Sequence, residues 1–139
     1  MIRPSSFTKL FEPAKIGTLD LPNRIVMPAI TTLYAGEWGE MTDTMIDYYV
    51  ARAKGGVGLI IVQPCVSQTT IDQFRYIAKV LRIDEDHFIA GLSKLVDAIH
   101  NTKTKVCFYC ELESMQELVR LCQLGFCKRC WNLKKWVIS

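Results

Sequence analysis

Along the first hundred or so positions, short apolar runs alternate with stretches whose apolar residues recur every three to four positions. Ala14-Lys15-Ile16 and Leu19-Asp20-Leu21 flank Gly17-Thr18, and two extended pieces around a glycine-containing turn predict a small β-hairpin. Pro22-Asn23-Arg24 then leads into Ile25-Val26-Met27, a continuous apolar run of the kind a strand shows when both its faces are buried in a parallel sheet. Thr42-Asp43 supplies a helix N-cap. Met45, Ile46, Tyr49, Val50 and Ala53 follow at helical spacing, Lys54 suits the negative end of the helix dipole, and Gly55-Gly56 stops the helix. Val57 to Val62 reads as a second buried strand ending at Gln63-Pro64-Cys65, followed by a connection without clear period over residues 63 to 82. Phe88, Leu92, Leu95, Val96 and Ile99 predict a second helix, with Asp84 or Asp86 as its cap and His100 in its last turn. Lys105 to Tyr109 is expected to form a third strand. Strand, helix and strand in succession make a βαβ unit, so the fold class is α/β.

The pattern changes after Val106. Of six cysteines, only Cys65 precedes that point; Cys107, Cys110, Cys122, Cys127 and Cys130 crowd the remainder. Leu112, Met115, Val119 and Cys122 line one face of an expected helix from Glu111 to Leu124, with Gly125 as its cap, and Lys128 to Trp136 shows no period. The shift divides the chain into residues 1–106 and a divergent, cysteine-rich tail over 107–139, a composition that a shifted reading frame would produce. With 139 residues, half of them apolar, the chain can bury a core. A net charge of +3, spread along the sequence, gives no basic stripe for nucleic acid. No apolar run reaches the roughly 18 residues of a membrane span, and the N-terminus lacks the apolar stretch of a signal peptide, so the cytoplasm is the expected location.

Two segments carry the functional signal: Asn23-Arg24-Ile25-Val26-Met27-Pro28-Ala29-Ile30-Thr31, and Tyr48-Tyr49-Val50-Ala51-Arg52-Ala53-Lys54-Gly55-Gly56-Val57-Gly58-Leu59-Ile60-Ile61-Val62. In this order and spacing they resemble the N-terminal end of the old yellow enzyme family of FMN-dependent NADH:flavin oxidoreductases, most closely its bacterial 2,4-dienoyl-CoA-reductase-like branch. The resemblance covers about residues 7 to 106. It implies the start of a (β/α)8 TIM barrel, with the hairpin plugging its floor. A whole barrel takes about 250 residues, so only an incomplete barrel of about three parallel strands is expected here.

In such barrels the chemistry sits at the C-terminal ends of the strands. The resemblance implies that Pro28, Ala29 and Ile30 lie against the flavin edge and that the Thr31 side chain hydrogen-bonds near its reactive end. Pro64 falls where the family places a small residue against the flavin; a proline there has no N–H to donate. The sequence departs from the family at Tyr109-Cys110, where the family usually carries Gln-Leu and its glutamine binds the flavin pyrimidine edge. The family's partners are NAD(P)H and an electron-poor alkene or enoyl thioester, held by groups from later strands. Gly55-Gly56-Val57-Gly58 lies between a helix and the next strand, the reverse of a phosphate-binding loop, and reads as a helix stop. His87 and His100 read as solvated structural residues, and Cys65 as a packing residue.

A rival signal is the pair of Cys-x2-Cys motifs formed by Cys107, Cys110, Cys127 and Cys130, a spacing that four-cysteine zinc sites use. The first pair falls within an expected strand, the intervening segment reads as a helix, and Cys122 has no role in it. Reduced, unpaired thiols are therefore the reading adopted. The alternatives to an oxidoreductase fragment are a zinc-stabilised or edge-strand interaction module and a non-functional gene remnant. Three parallel strands leave an unpaired apolar edge, through which self-association is expected.

Overall fold

A computed structural model describes residues 7–67 and 79–110. The expected helix over 111–124, together with Cys122, Cys127 and Cys130, lies outside the described residues. The elements run in chain order as β1 (Ala14–Ile16), β2 (Leu19–Leu21), β3 (Val26–Met27), α1 (Asp43–Lys54), β4 (Leu59–Val66), β5 (Leu81–Arg82), α2 (Ile89–His100) and β6 (Lys105–Cys110). β1 and β2 form the antiparallel hairpin, with Ile16 opposite Leu19, and Gly17 takes a positive φ of 57° at the turn.

The larger sheet is parallel and centred on β4. β6 pairs with one edge of β4 from Leu59 to Cys65; β3 and β5 share the other edge, at Leu59–Ile60 and Cys65–Val66 respectively. The architecture is that of an incomplete (β/α)8 barrel, as its residue pattern implies. Side-chain alternation along β4 assigns its two faces. Leu59 and Ile61 meet the hairpin residues Leu19 and Leu21. Ile60, Val62 and Cys65 meet Met45, Tyr49 and Ala53 of α1 and Leu92, Leu95, Val96 and Ile99 of α2. Both faces of the strand are therefore covered, as a parallel strand requires.

Helix α1 forms where expected. Thr42 caps it, its Oγ1 accepting from the Met45 N–H at 3.2 Å. Gly55 is the C-cap, and Gly56 follows with φ +90°. Two expectations need correction. β4 does not end at Val62 but continues to Val66, so Gln63, Pro64 and Cys65 lie within the strand; Leu81–Arg82 of the supposed connection pairs with this extension. Neither Asp84 nor Asp86 caps α2, which is entered through a 3-10 turn at Asp86–Phe88 without side-chain capping. Asp84 is instead held in a two-pronged ion pair by buried Arg82, at 3.0 and 2.9 Å.

The start of β3 is joined to the start of β4 by one side chain. Asn23 Nδ2 donates to the Gly56 carbonyl at 2.8 Å, while its Oδ1 accepts the Ile25 N–H at 3.0 Å. A Cβ on Gly58 would lie 2.5 Å from that Oδ1 and 2.7 Å from the Asn23 carbonyl, which explains the third glycine of the Gly-Gly-Val-Gly run. Gly58→Ala is expected to destabilise the fold by about 1–3 kcal/mol, read as a lower urea midpoint; an unchanged midpoint would show that Asn23 yields freely.

Candidate functional site

β3 is short because its partner ladder ends at Met27, and the chain leaves the sheet at Pro28. Pro28, Ile30 and Thr31 are exposed and Ala29 is half-buried, so the exit loop presents an uncharged surface to solvent. Ile30 is large, apolar and 52% exposed. Half-buried Pro64 lies opposite Tyr109 of β6, across a register shift between Val62 and Pro64. Proline donates no ladder hydrogen bond, and the shift falls where that donor is missing.

The two strand ends are tied together by Gln63. Its Oε1 accepts from the Thr32 N–H at 2.9 Å and from the Thr32 hydroxyl at 2.7 Å. Thr32 follows Thr31 and Gln63 precedes Pro64, so these bonds bring Pro28–Thr31, Pro64 and Tyr109 to one end of the sheet. The Gln63 N–H, freed from the ladder at the register shift, donates to Tyr49 Oη at 2.9 Å. The chain of bonds continues through the loop: Tyr34 N–H donates to Thr32 Oγ1 at 3.3 Å, and the Thr42 hydroxyl donates to the Tyr34 carbonyl at 2.5 Å. Thr42 caps α1, the helix that carries Tyr49, so the network closes on itself. Tyr34, Tyr48 and Tyr49 add two edge-to-face ring contacts at 5.6 and 5.2 Å, and the Arg52 guanidinium covers Tyr48 at 3.3 Å.

Apart from Thr42 as the α1 cap, none of this network was singled out from the sequence. The available signal was Gln63 itself, the one strongly polar side chain in the run from Leu59 to Val66, since a buried amide must find partners. Gln63 is fully buried, and its Nε2 has no hydrogen-bond partner among the described residues. An uncharged exit loop backed by a rigid amide strut fits one edge of a flat, uncharged ring such as a flavin. The uncharged side chains of the β3 exit are chemically compatible with the ring portion of a flavin.

Cys65 is buried in the core, in keeping with a packing role, and burial pushes the Cys107 thiol up from its ordinary pKa. Among the described residues no group of three or more His, Cys, Asp or Glu could hold a metal; Cys127 and Cys130 lie outside them. His87 is exposed and stacks on Phe88 at 3.9 Å. No helix among the described residues is long and apolar enough to cross a membrane.

Residues 9–112 match the family described as NADH:flavin oxidoreductase / NADH oxidase. The chain is 44% identical over 100 residues to an NADH oxidase of Thermoanaerobacter brockii, covering 72% of this chain and 15% of that protein. It is 42% identical over 97 residues to a metal reductase of Desulforamulus reducens, covering 70% and 14%. Among solved structures, Old Yellow Enzyme from Pichia superposes with a TM-score of 0.67 and 28% identity, over 77% of this chain and 27% of that one. The chain therefore spans about one seventh of the length of the curated relatives it matches.

Burial pushes the Tyr49 pKa up to about 12 from 10.0, opposed by the hydrogen bond from Gln63. A phenol that loses its proton later in the folded state than in the unfolded chain contributes stability that is complete below pH 10 and lost as the pH rises towards 12. Alkaline titration followed by tyrosinate absorbance is expected to show unfolding accompany Tyr49 ionisation in that window. In Tyr49→Phe the pH dependence should weaken, while baseline stability falls by about 1–3 kcal/mol because the Gln63 N–H loses its acceptor.

Proposed function

Since the chain belongs to the NADH:flavin oxidoreductase / NADH oxidase family, we propose that it supplies the opening segment of an FMN-dependent NAD(P)H oxidoreductase barrel, with the exit of β3 as the wall that meets the flavin ring. The observation that carries this reading is the joining of Pro28–Thr31 to Gln63-Pro64 through Thr32. When bound, FMN supplies a two-electron carrier between NAD(P)H and an electron-poor alkene or enoyl thioester. This chain's part is to shape and dry one side of the ring: Ala29 and Ile30 supply apolar contact, Thr31 a hydroxyl, and Pro64 a flat surface without a donor. Tyr109 offers a phenol where the family usually has an amide, so this position would supply a bound flavin with a single hydroxyl in place of a paired donor and acceptor. The groups that hold phosphate and substrate belong to later strands in the family, and the chain alone does not turn over. Its place of action is the cytoplasm.

Recognition through an uncharged wall should be blind to the phosphate. Titrated into the purified chain, riboflavin and FMN are expected to bind with similar, weak affinity, and Ile30→Asp to weaken both by about tenfold, because a carboxylate would be desolvated against the ring. NADH oxidation should be absent. Failure of either flavin to bind, or steady NADH oxidation by the chain alone, contradicts the reading.

A second reading has its own observation. Val26 and Tyr109, on strands at the two sides of β4, are 40% and 48% exposed, large apolar residues that a sheet normally covers. The chain is expected to self-associate through these edges, seen as a sedimentation coefficient that rises with concentration. A monomer of constant coefficient would exclude this.

A further inference from the structure

We propose that Gln63 is the positioning residue of the β3 exit loop: by holding Thr32 through its amide oxygen, it sets where Ala29, Ile30 and Thr31 stand relative to β4 and Pro64. The inference rests on the flavin reading for what the loop does, and on the Gln63–Thr32 contact for what Gln63 does. Nothing in the family resemblance assigns Gln63 a role.

Three observations converge on it. The exit loop has only a two-residue ladder behind it, Val26–Met27, and its pairing with the β4 backbone ends at Met27. The first anchor after that ladder is the pair of bonds that Gln63 accepts from Thr32, at 2.9 and 2.7 Å, five residues from Met27. Residues 28–31 are therefore a short span fixed at both ends, and the second fixed point is a side chain. Gln63 is itself immobile: it is fully buried, and its N–H is held by Tyr49 Oη at 2.9 Å. Its amide orientation follows from chemistry, because the Thr32 N–H can only donate and must face the oxygen. The cost of that orientation is the unpartnered Nε2.

The contact separates two properties that a plain packing residue would not. Replacing Gln63 with methionine keeps the volume but removes the acceptor. Replacing it with glutamate keeps an acceptor for Thr32 at the same chain length. In amide hydrogen exchange on the full chain, resolved to single residues, Gln63→Met should speed exchange at Thr32 by about tenfold or more while Ile60–Val62 keep their protection, since the Thr32 N–H then loses the Gln63 oxygen as its acceptor. In the same variant riboflavin affinity should fall by about tenfold. Gln63→Glu should restore both.

Unchanged Thr32 exchange in Gln63→Met overturns the proposal, as does faster exchange with undiminished riboflavin affinity. Should Gln63→Met open the β4 amides as well, Thr32→Val decides, since it leaves Gln63 in place and removes the hydroxyl bond to it together with the longer bond from the Tyr34 N–H: weaker riboflavin binding with β4 protected supports the proposal, and unchanged binding overturns it. If the unmodified chain binds no flavin, the flavin reading fails, and Thr32 exchange alone then supports or overturns the anchoring role of Gln63.

Discussion

Every ladder of the larger sheet runs through β4. β3, β5 and β6 hydrogen-bond to that strand and, among the described residues, not to one another. Its two faces carry the two cores, one against the hairpin and one against the paired helices. The helix-side core is the larger, and its fully buried members Met45, Tyr49, Leu95 and Ile99 come from both helices. Helix packing, sheet pairing and the position of the β3 exit are therefore all referenced to one eight-residue strand. A strand with this role has to be buried on both faces, and its sequence is accordingly apolar at nearly every position.

That constraint explains what the residue pattern could convey. The hairpin, α1 with its threonine cap and glycine stop, the apolar stripe of α2 and the strand at Lys105 were all legible, because each depends on local chemistry: a turn, a cap or a period. The extent of β4 was not. Gln63 and Pro64 look like strand-ending residues, and by local propensity they are; the ladder with β6 and the pairing with β5 carry the strand on to Val66 regardless. The same applies to Asp84. Its position before a helix suggested a cap, but a buried arginine nearby is the stronger partner, because leaving Arg82 unpaired would strand a charge in the core.

The site was half legible. Pro28, Ala29, Ile30, Thr31 and Pro64 came forward as candidates by resemblance, and the Thr32–Gln63 bonds join the two stretches that carry them. What joins them was invisible to motif reading, because Gln63, Thr32 and Tyr49 lie far apart in sequence and meet only once α1 has packed over β4. The register shift at Pro64 links the two levels. A proline within a strand removes a ladder bond, the neighbouring N–H turns to a tyrosine hydroxyl, and the glutamine side chain is free to reach the exit loop. A residue that looks like a defect in the strand thus sits beside the network that fixes the candidate site.

The exit of β3 is proposed as a surface for a flavin ring. The most direct measurement is residue-resolved NMR of the chain during riboflavin titration. The expected result is a set of shift changes, with contacts to the ring methyl groups, confined to residues 28–32, Gln63, Pro64 and Tyr109. Changes centred elsewhere in the sheet, or none at saturating riboflavin, would contradict it.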